Sequence, residues 1–260
     1  MCVIVYVPMD IELPDYDTVV KCMTTNPDGA GFAVGRDNGS QEIYKGYWQT
    51  DEIYDDLQIV REEDPLCTIL IHFRLATHGT ISIDNCHPFT CGTDSIIMHN
   101  GIIPFRTLHL IDPTLHYGAK QNLSDTHQLA VIMSSVDHAA KCKVLQWLTG
   151  ATVSKFAMLY NGKVELFGSF IKQNGISYSN LHWQTPLRVS RMWRFMDNTG
   201  DYAYGDLWDS EDGEDGNCAH PEEYWSYSRD GYVMCQVCGE LLEDEDELMP
   251  WEDDGKMTQL

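Results

Sequence analysis

Apolar positions along this chain follow two rhythms. The run Val3-Ile4-Val5-Tyr6-Val7, directly behind Cys2, is β-branched and apolar, which predicts a buried strand. Residues 67–73 (CTILIHF) are apolar nearly throughout and predict a strand covered on both faces. Shorter extended pieces are expected at Phe32–Val34, Gln41–Trp48 and Ser95–His99, and a last one at Ile176–Trp183. Phe156–Tyr160 and Lys163–Phe167 flank Asn161-Gly162, a two-residue hairpin signal. Helical spacing occupies Tyr16–Thr25 and Asp51–Glu63, the latter through Ile53, Leu57 and Val60. Another helix opens at Ser124, a suitable N-cap, with Leu129, Ile132 and Met133 on one face, and a further one runs over Lys141–Leu148 and ends before Gly150. Pro8–Pro14, Asn26–Gly31 and Arg36–Ser40 are rich in turn formers.

From about Thr185 the pattern stops. Residues 201–260 carry 19 acidic and 2 basic side chains, against 21 and 15 in residues 1–200, so most of the net charge of −23 lies in the tail. Residues 186–217 predict an acidic linker and 243–260 an acidic flexible tail. Such a surface disfavours nucleic acid and anionic lipid. No apolar stretch reaches membrane-spanning length, and no secretory leader is expected. Nine irregularly spaced cysteines fit a reducing cytoplasm better than a disulfide framework.

Between the linker and the tail, Cys218-Ala219-His220 and Cys235-Gln236-Val237-Cys238 form a C-x-H…C-x-x-C pattern within residues 218–242. Three thiolates and one imidazole suit a tetrahedral structural zinc site, with Cys218, His220, Cys235 and Cys238 as ligands. So short a segment could draw its folding energy from the metal.

Cys2 offers different chemistry. On position alone, a small buried core cysteine is the simpler reading. If Met1 is removed, Cys2 carries both a thiol and a free α-amine of reference pKa about 7.7–8.0, a nucleophile and a base on one residue. The motifs that follow tip the balance towards a nucleophile. Arg74-Leu75-Ala76-Thr77-His78-Gly79 closes the buried strand, Asn85-Cys86-His87-Pro88-Phe89 follows, His99-Asn100-Gly101 ends the next strand, and Ser124-Asp125-Thr126 opens a helix. With Cys2 and the 26–31 turn, this ordered set resembles the class II glutamine amidotransferases of the N-terminal nucleophile (Ntn) hydrolase superfamily, over about residues 2–185.

The resemblance implies an α+β body, a four-layered αββα sandwich over residues 1–185. It also implies hydrolysis of the L-glutamine side-chain amide through a Cys2 thioester. On the matching positions, Arg74 would bind the α-carboxylate, Asp125 the α-ammonium, and Thr77 with the backbone near His78 would complete the clamp. Asn100 and Gly101 would form the oxyanion hole, and His87 would lie near the glutamine pocket. No cofactor is implied for the reaction. Family members pass the released ammonia to a synthase, so a partner chain is an expected acceptor. Compact free-standing members are often carried by bacteriophages, which would place this one in a host cytoplasm. An Ntn hydrolase for another amide, or a non-catalytic interaction protein on the same scaffold, are the competing readings.

Overall fold

The computed structural model describes residues 2–76, 79–112 and 123–184, together with 225–227, 233–235 and 241–243. The chain opens with β1 (Val3–Val7), α1 (Tyr16–Thr25), β2 (Ala30–Gly35), β3 (Gln41–Tyr47), α2 (Thr50–Glu63) and β4 (Thr68–Phe73). It continues through β5 (Phe89–Thr90), β6 (Ser95–Asn100), α3 (Phe105–Ile111), α4 (Asp125–Ile132) and α5 (His138–Ala151). The strands β7 (Lys155–Tyr160), β8 (Lys163–Phe167), β9 (Ile171–Gln173) and β10 (Ile176–Tyr178) complete the body. Further on, β11 (Trp225–Tyr227), β12 (Val233–Cys235) and β13 (Leu241–Glu243) make a small antiparallel sheet.

Strand alternation sorts the apolar side chains of the body into three clusters. One sheet runs β3-β2-β4-β1-β10-β9 and the other β5-β6-β7-β8, and every pairing is antiparallel. Val3, Val5 and Val7 point to the same side as Phe32, Val34, Ile69, Ile71 and Phe73, where α1 supplies Val19, Cys22 and Met23 and α2 supplies Ile53, Leu57 and Val60. The opposite faces of these strands give Ile4, Ala33 and Leu70, which meet Ile96, Met98, Ala157 and Leu159 of the second sheet. The far side of that sheet, with Ile97, Phe156, Met158 and Phe167, is covered by Leu108, Leu129, Leu145 and Leu148 of α3–α5. The order is therefore helices, sheet, sheet, helices. The near-continuous apolar runs of β1 and β4 follow from it, because both faces of the first sheet are buried.

The helices are held by local chemistry as well as packing. Asp15 caps α1 by accepting from Thr18 N at 2.8 Å, and Asp137 caps α5 by accepting from Ala140 N at 2.8 Å. Losing the first cap should cost about 0.5–2 kcal/mol. An Asp15→Ala variant is therefore expected to lower the urea midpoint without changing the slope of the transition.

The structure departs from the sequence pattern at four places. Gly31 lies inside β2 and not in the preceding turn, and its missing Cβ explains why: a methyl there would come within 2.4 Å of the His87 carbonyl oxygen. Helix α5 runs through Gly150 to Ala151, since one helical glycine costs only about 1 kcal/mol. The extended piece expected over Ile176–Trp183 ends at Tyr178 and gives way to a tight turn at His182–Gln184. Helix α3 and strand β9 are additional elements. Among the described residues, no helix is long and apolar enough to cross a membrane. The linker expected at 186–217 lies outside the described residues.

Candidate active site

The edge where β1 begins and β4 ends sets the site. Val3 pairs with Phe73, so Cys2 lies opposite the chain leaving β4. Its Sγ is 3.4 Å from both Leu75 N, which donates to it, and Leu75 O, to which the thiol donates. The Cys2 carbonyl accepts from Asn180 Nδ2 at 2.8 Å, which fixes the residue from the β10 side. Cys2 is partly exposed, yet its thiol pKa is raised. Desolvation is the main cause; the hydrogen bond from Leu75 N and the charge of Arg74 pull the other way, and Asp125 adds to the rise.

Around this sulfur lies a small, partly open cleft, lined among others by Cys2, Arg74, His87, Gly101 and Asp125. The wall after β4 is braced from the 26–31 segment. Asp28 N donates to Arg74 O at 3.0 Å, Arg74 N to Gly29 O at 2.9 Å, and Ala76 N to Asp28 Oδ2 at 2.7 Å. Arg74 itself is 2 % exposed, and its Nη1 donates to Thr80 O at 3.0 Å.

The opposite wall comes from the exit of β6 and the start of α4. Gly101 has φ +145°, and a Cβ there would fall 2.4 Å from Ser154 Oγ and 2.9 Å from His99 Nε2. Both the backbone and the space demand glycine at this corner. Asp125 is the first residue of α4, behind the Ser124 cap, where the helix end favours a negative charge. Its Oδ2 accepts from Ile103 N at 2.7 Å and its Oδ1 from Thr126 N at 2.7 Å. Oδ1 also accepts from Thr126 Oγ1 at 3.3 Å, so with about two acceptor sites per oxygen the second site of Oδ2 is the one left for a ligand.

His99, also in the cleft wall, is pinned between Thr126 Oγ1 and Ser154 Oγ, each at 2.9 Å, and stacks on Phe156. His72 is a hydrogen-bonded core histidine: its Nε2 lies 3.0 Å from the His99 carbonyl. His87 stacks on His72 at 3.8 Å between ring centroids, and neither of its ring nitrogens has a hydrogen-bond partner.

Asn100 sits just behind the cleft. Its Nδ2 donates to Ser179 Oγ at 3.0 Å, and that oxygen also accepts from Ile4 N at 2.8 Å. Asn100 Oδ1 is buried without a partner. Turning the carboxamide over would let the Ser179 hydroxyl donate to Oδ1 and would leave the amino group free in its place.

The structure thus gathers Cys2, Arg74, His87, Gly101 and Asp125 at one cleft and places Asn100 next to it. Thr77 and His78 lie outside the described residues, as do Cys218, His220 and Cys238; Cys235 ends β12. Sequence reasoning missed Asp28, Ser179 and Asn180, which hold the site together. The polar pair Ser179-Asn180 directly after an apolar strand was the available signal.

The buried histidines make stability depend on pH. Desolvation lowers the pKa of His72 to about 3, pushes that of His87 well below the usual imidazole range, and lowers that of His99. Below about pH 6.5 the unfolded chain takes up these protons and the native state does not, so stability is present above that pH and is lost as pH falls towards 3. His72 alone should remove roughly 1 kcal/mol per pH unit in that window. Urea titrations at neutral pH and near pH 5 should show the midpoint falling on the acid side.

No family model matches the chain. Part of it aligns with the glutamine–fructose-6-phosphate aminotransferase [isomerizing] of Pseudomonas putida, 37 % identical over 78 residues, or 29 % of this chain and 12 % of that protein. The enzyme of the same name from Encephalitozoon cuniculi is 34 % identical over 99 residues, or 36 % of this chain and 13 % of that one. The chain spans about an eighth of the length of the curated relatives it matches. Among solved structures, glutamine phosphoribosylpyrophosphate amidotransferase from B. subtilis, complexed with ADP and GMP, superposes with a TM-score of 0.47 at 17 % identity, covering 68 % of this chain and 41 % of that one. A structure described as the allosteric regulatory enzyme of purine biosynthesis gives 0.48 at 15 % identity, with the same two coverages.

Proposed function

We infer that this chain is an Ntn-type class II glutamine amidotransferase that hydrolyses the side-chain amide of L-glutamine at Cys2. The observation that carries this reading is the convergence of a thiol, an arginine, an aspartate and a glycine corner, from four separate segments, on one cleft. The local identity to two glutamine-using aminotransferases supports the choice of substrate.

The chemistry requires Cys2 to be the first residue of the mature chain. Its free amine takes the thiol proton, and the thiolate attacks the carboxamide carbon. The resulting oxyanion is held by the Gly101 N–H and by the amino group of Asn100, once its carboxamide is turned over so that the Ser179 hydroxyl donates to Oδ1. One such donor is typically worth about 2.7–4 kcal/mol. The protonated amine then passes its proton to the leaving nitrogen, and ammonia departs. Water, deprotonated by the same amine, cleaves the thioester to glutamate and restores the thiol. Arg74 grips the α-carboxylate and Asp125 the α-ammonium, and the buried His87 lines the pocket beside them. In this reading the ammonia goes to an acceptor site of a synthase. Cys218, His220, Cys235 and Cys238 would hold a structural zinc within residues 218–242, and the chain would act as a free-standing member of the phage type.

Substrate profiling tests the assignment. Glutamine should be turned over, whereas N-acetylglutamine and glutamine α-amide should each be turned over at least about tenfold less efficiently, since each removes a charged partner. Equal turnover of a blocked analogue would favour an Ntn hydrolase for another amide.

A further inference from the structure

On the helix-covered side of the second sheet, His138 and Cys142 stand one turn apart on α5 and face Glu165 of β8. Strand alternation places Glu165 there: Lys163, Glu165 and Phe167 share one face, and Phe167 packs among the helices. The His138 Nε2 lies 3.1 Å from Glu165 Oε1, Cys142 Sγ 3.2 Å from Glu165 Oε2, and Cys142 Sγ 3.5 Å from His138 Nε2. We propose that these three side chains form a binding site for a zinc-class divalent cation, clipping α5 to the edge strand β8.

The spacing carries the argument. Zinc bonds of about 2.0–2.3 Å to nitrogen, oxygen and sulfur at tetrahedral angles put neighbouring ligand atoms about 3.3–3.6 Å apart. The 3.5 Å between Cys142 Sγ and His138 Nε2 falls in that range, and with one Glu165 oxygen added the three ligand atoms lie within 4.8 Å of one another, a spread that a small turn of the exposed carboxylate closes. The ligand chemistry agrees, because one thiolate, one imidazole and one carboxylate suit zinc and not calcium or magnesium, which take oxygen alone. The imidazole is also held in place, stacked on Tyr160 with ring centroids 3.7 Å apart and planes within 9°. The side chains of His138 and Glu165 are 25 % and 41 % exposed, which leaves an entry path and room for water as the fourth ligand. Binding exchanges a proton for the metal: the Cys142 S–H bond breaks, the sulfur–metal bond forms, and the proton goes to solvent. The three residues lie outside the cleft at Cys2 and use none of its groups.

Cobalt(II) is the probe, added under a non-thiol reductant to the full chain with Cys218, Cys235 and Cys238 replaced by serine. One equivalent should give a thiolate-to-cobalt band in the near ultraviolet together with visible bands of a four-coordinate ion. Adding Cys142→Ser should remove the thiolate band and weaken binding by more than about 100-fold, beyond the 10–100-fold typical of an outer-shell partner. In the otherwise unaltered chain, Cys142→Ser or Glu165→Gln should each lower bound zinc by one equivalent in elemental measurements and abolish the zinc-dependent rise in melting temperature at this site. A thiolate band or metal content that is the same with and without Cys142 would overturn the proposal, as would a parent chain that shows no such band.

Discussion

A Cys2→Ala variant is expected to lose glutamine hydrolysis by about 10⁴-fold or more while keeping its fold, because the nucleophile is removed and nothing else at the cleft can form the thioester. The structural cost should be small. Cys2 precedes β1, the hydrogen bonds of its thiol among the described residues are the two 3.4 Å ones with Leu75, and its backbone anchor to Asn180 does not depend on the side chain. Matched circular dichroism and urea midpoints for the variant and the parent would separate lost chemistry from lost structure. Retention of more than a few per cent of the activity would remove Cys2 from the mechanism. A Cys2→Ser variant should fall almost as far, since a hydroxyl is a much weaker nucleophile at neutral pH than a thiol.

The second large effect is expected at Arg74. Hydrogen bonds to a charged group are typically worth about 1.5–3 kcal/mol, so Arg74→Lys should lower kcat/KM for glutamine by about 10- to 150-fold, chiefly through KM. Lysine keeps the positive charge but not the planar fork that meets a carboxylate with two parallel bonds. It also cannot reproduce the guanidinium bond to the Thr80 carbonyl. Asp125→Asn should act in the same direction, and the readout should differ by substrate. The penalty of Arg74→Lys should shrink for glutamine α-amide, and that of Asp125→Asn for N-acetylglutamine, because each analogue already lacks the partner in question. Equal penalties on all three substrates would make both residues structural props for the loop and the helix end.

How far the sequence could be read depended on the range of the forces involved. The strands β1 and β4 were legible because burial on both faces writes itself into consecutive apolar residues. Helix α2 was legible because one buried stripe spaces Ile53, Leu57 and Val60. The hairpin of β9 and β10 was overlooked, although Asn174-Gly175 has the same two-residue signal as Asn161-Gly162, with φ of 50° and 85°. Its strands are three residues each, too short for alternation to show. Helix α3 buries Leu108 behind Pro104 and has too few turns for a periodic stripe.

Within the site, the motif-bearing residues were legible and their supports were not. Asp28 read as a turn residue, and only the fold reveals that it holds Ala76 N. Ser179 and Asn180 reach Asn100 and Cys2 across 79 and 178 positions of sequence, a separation that no local pattern encodes. The same holds for His138, Cys142 and Glu165. The helix pair could have been noticed from its i, i+4 spacing, but the carboxylate comes from a strand 23 residues beyond the cysteine.

The most direct test is to treat the purified protein with a glutamine analogue bearing a diazoketone in place of the carboxamide, and to map the adduct by mass spectrometry. The proposed function predicts a single adduct, on Cys2 at the start of a chain that has lost Met1, suppressed by excess glutamine. Labelling of any other of the nine cysteines in its place, no labelling at all, or a Cys2 still joined to Met1 would contradict it.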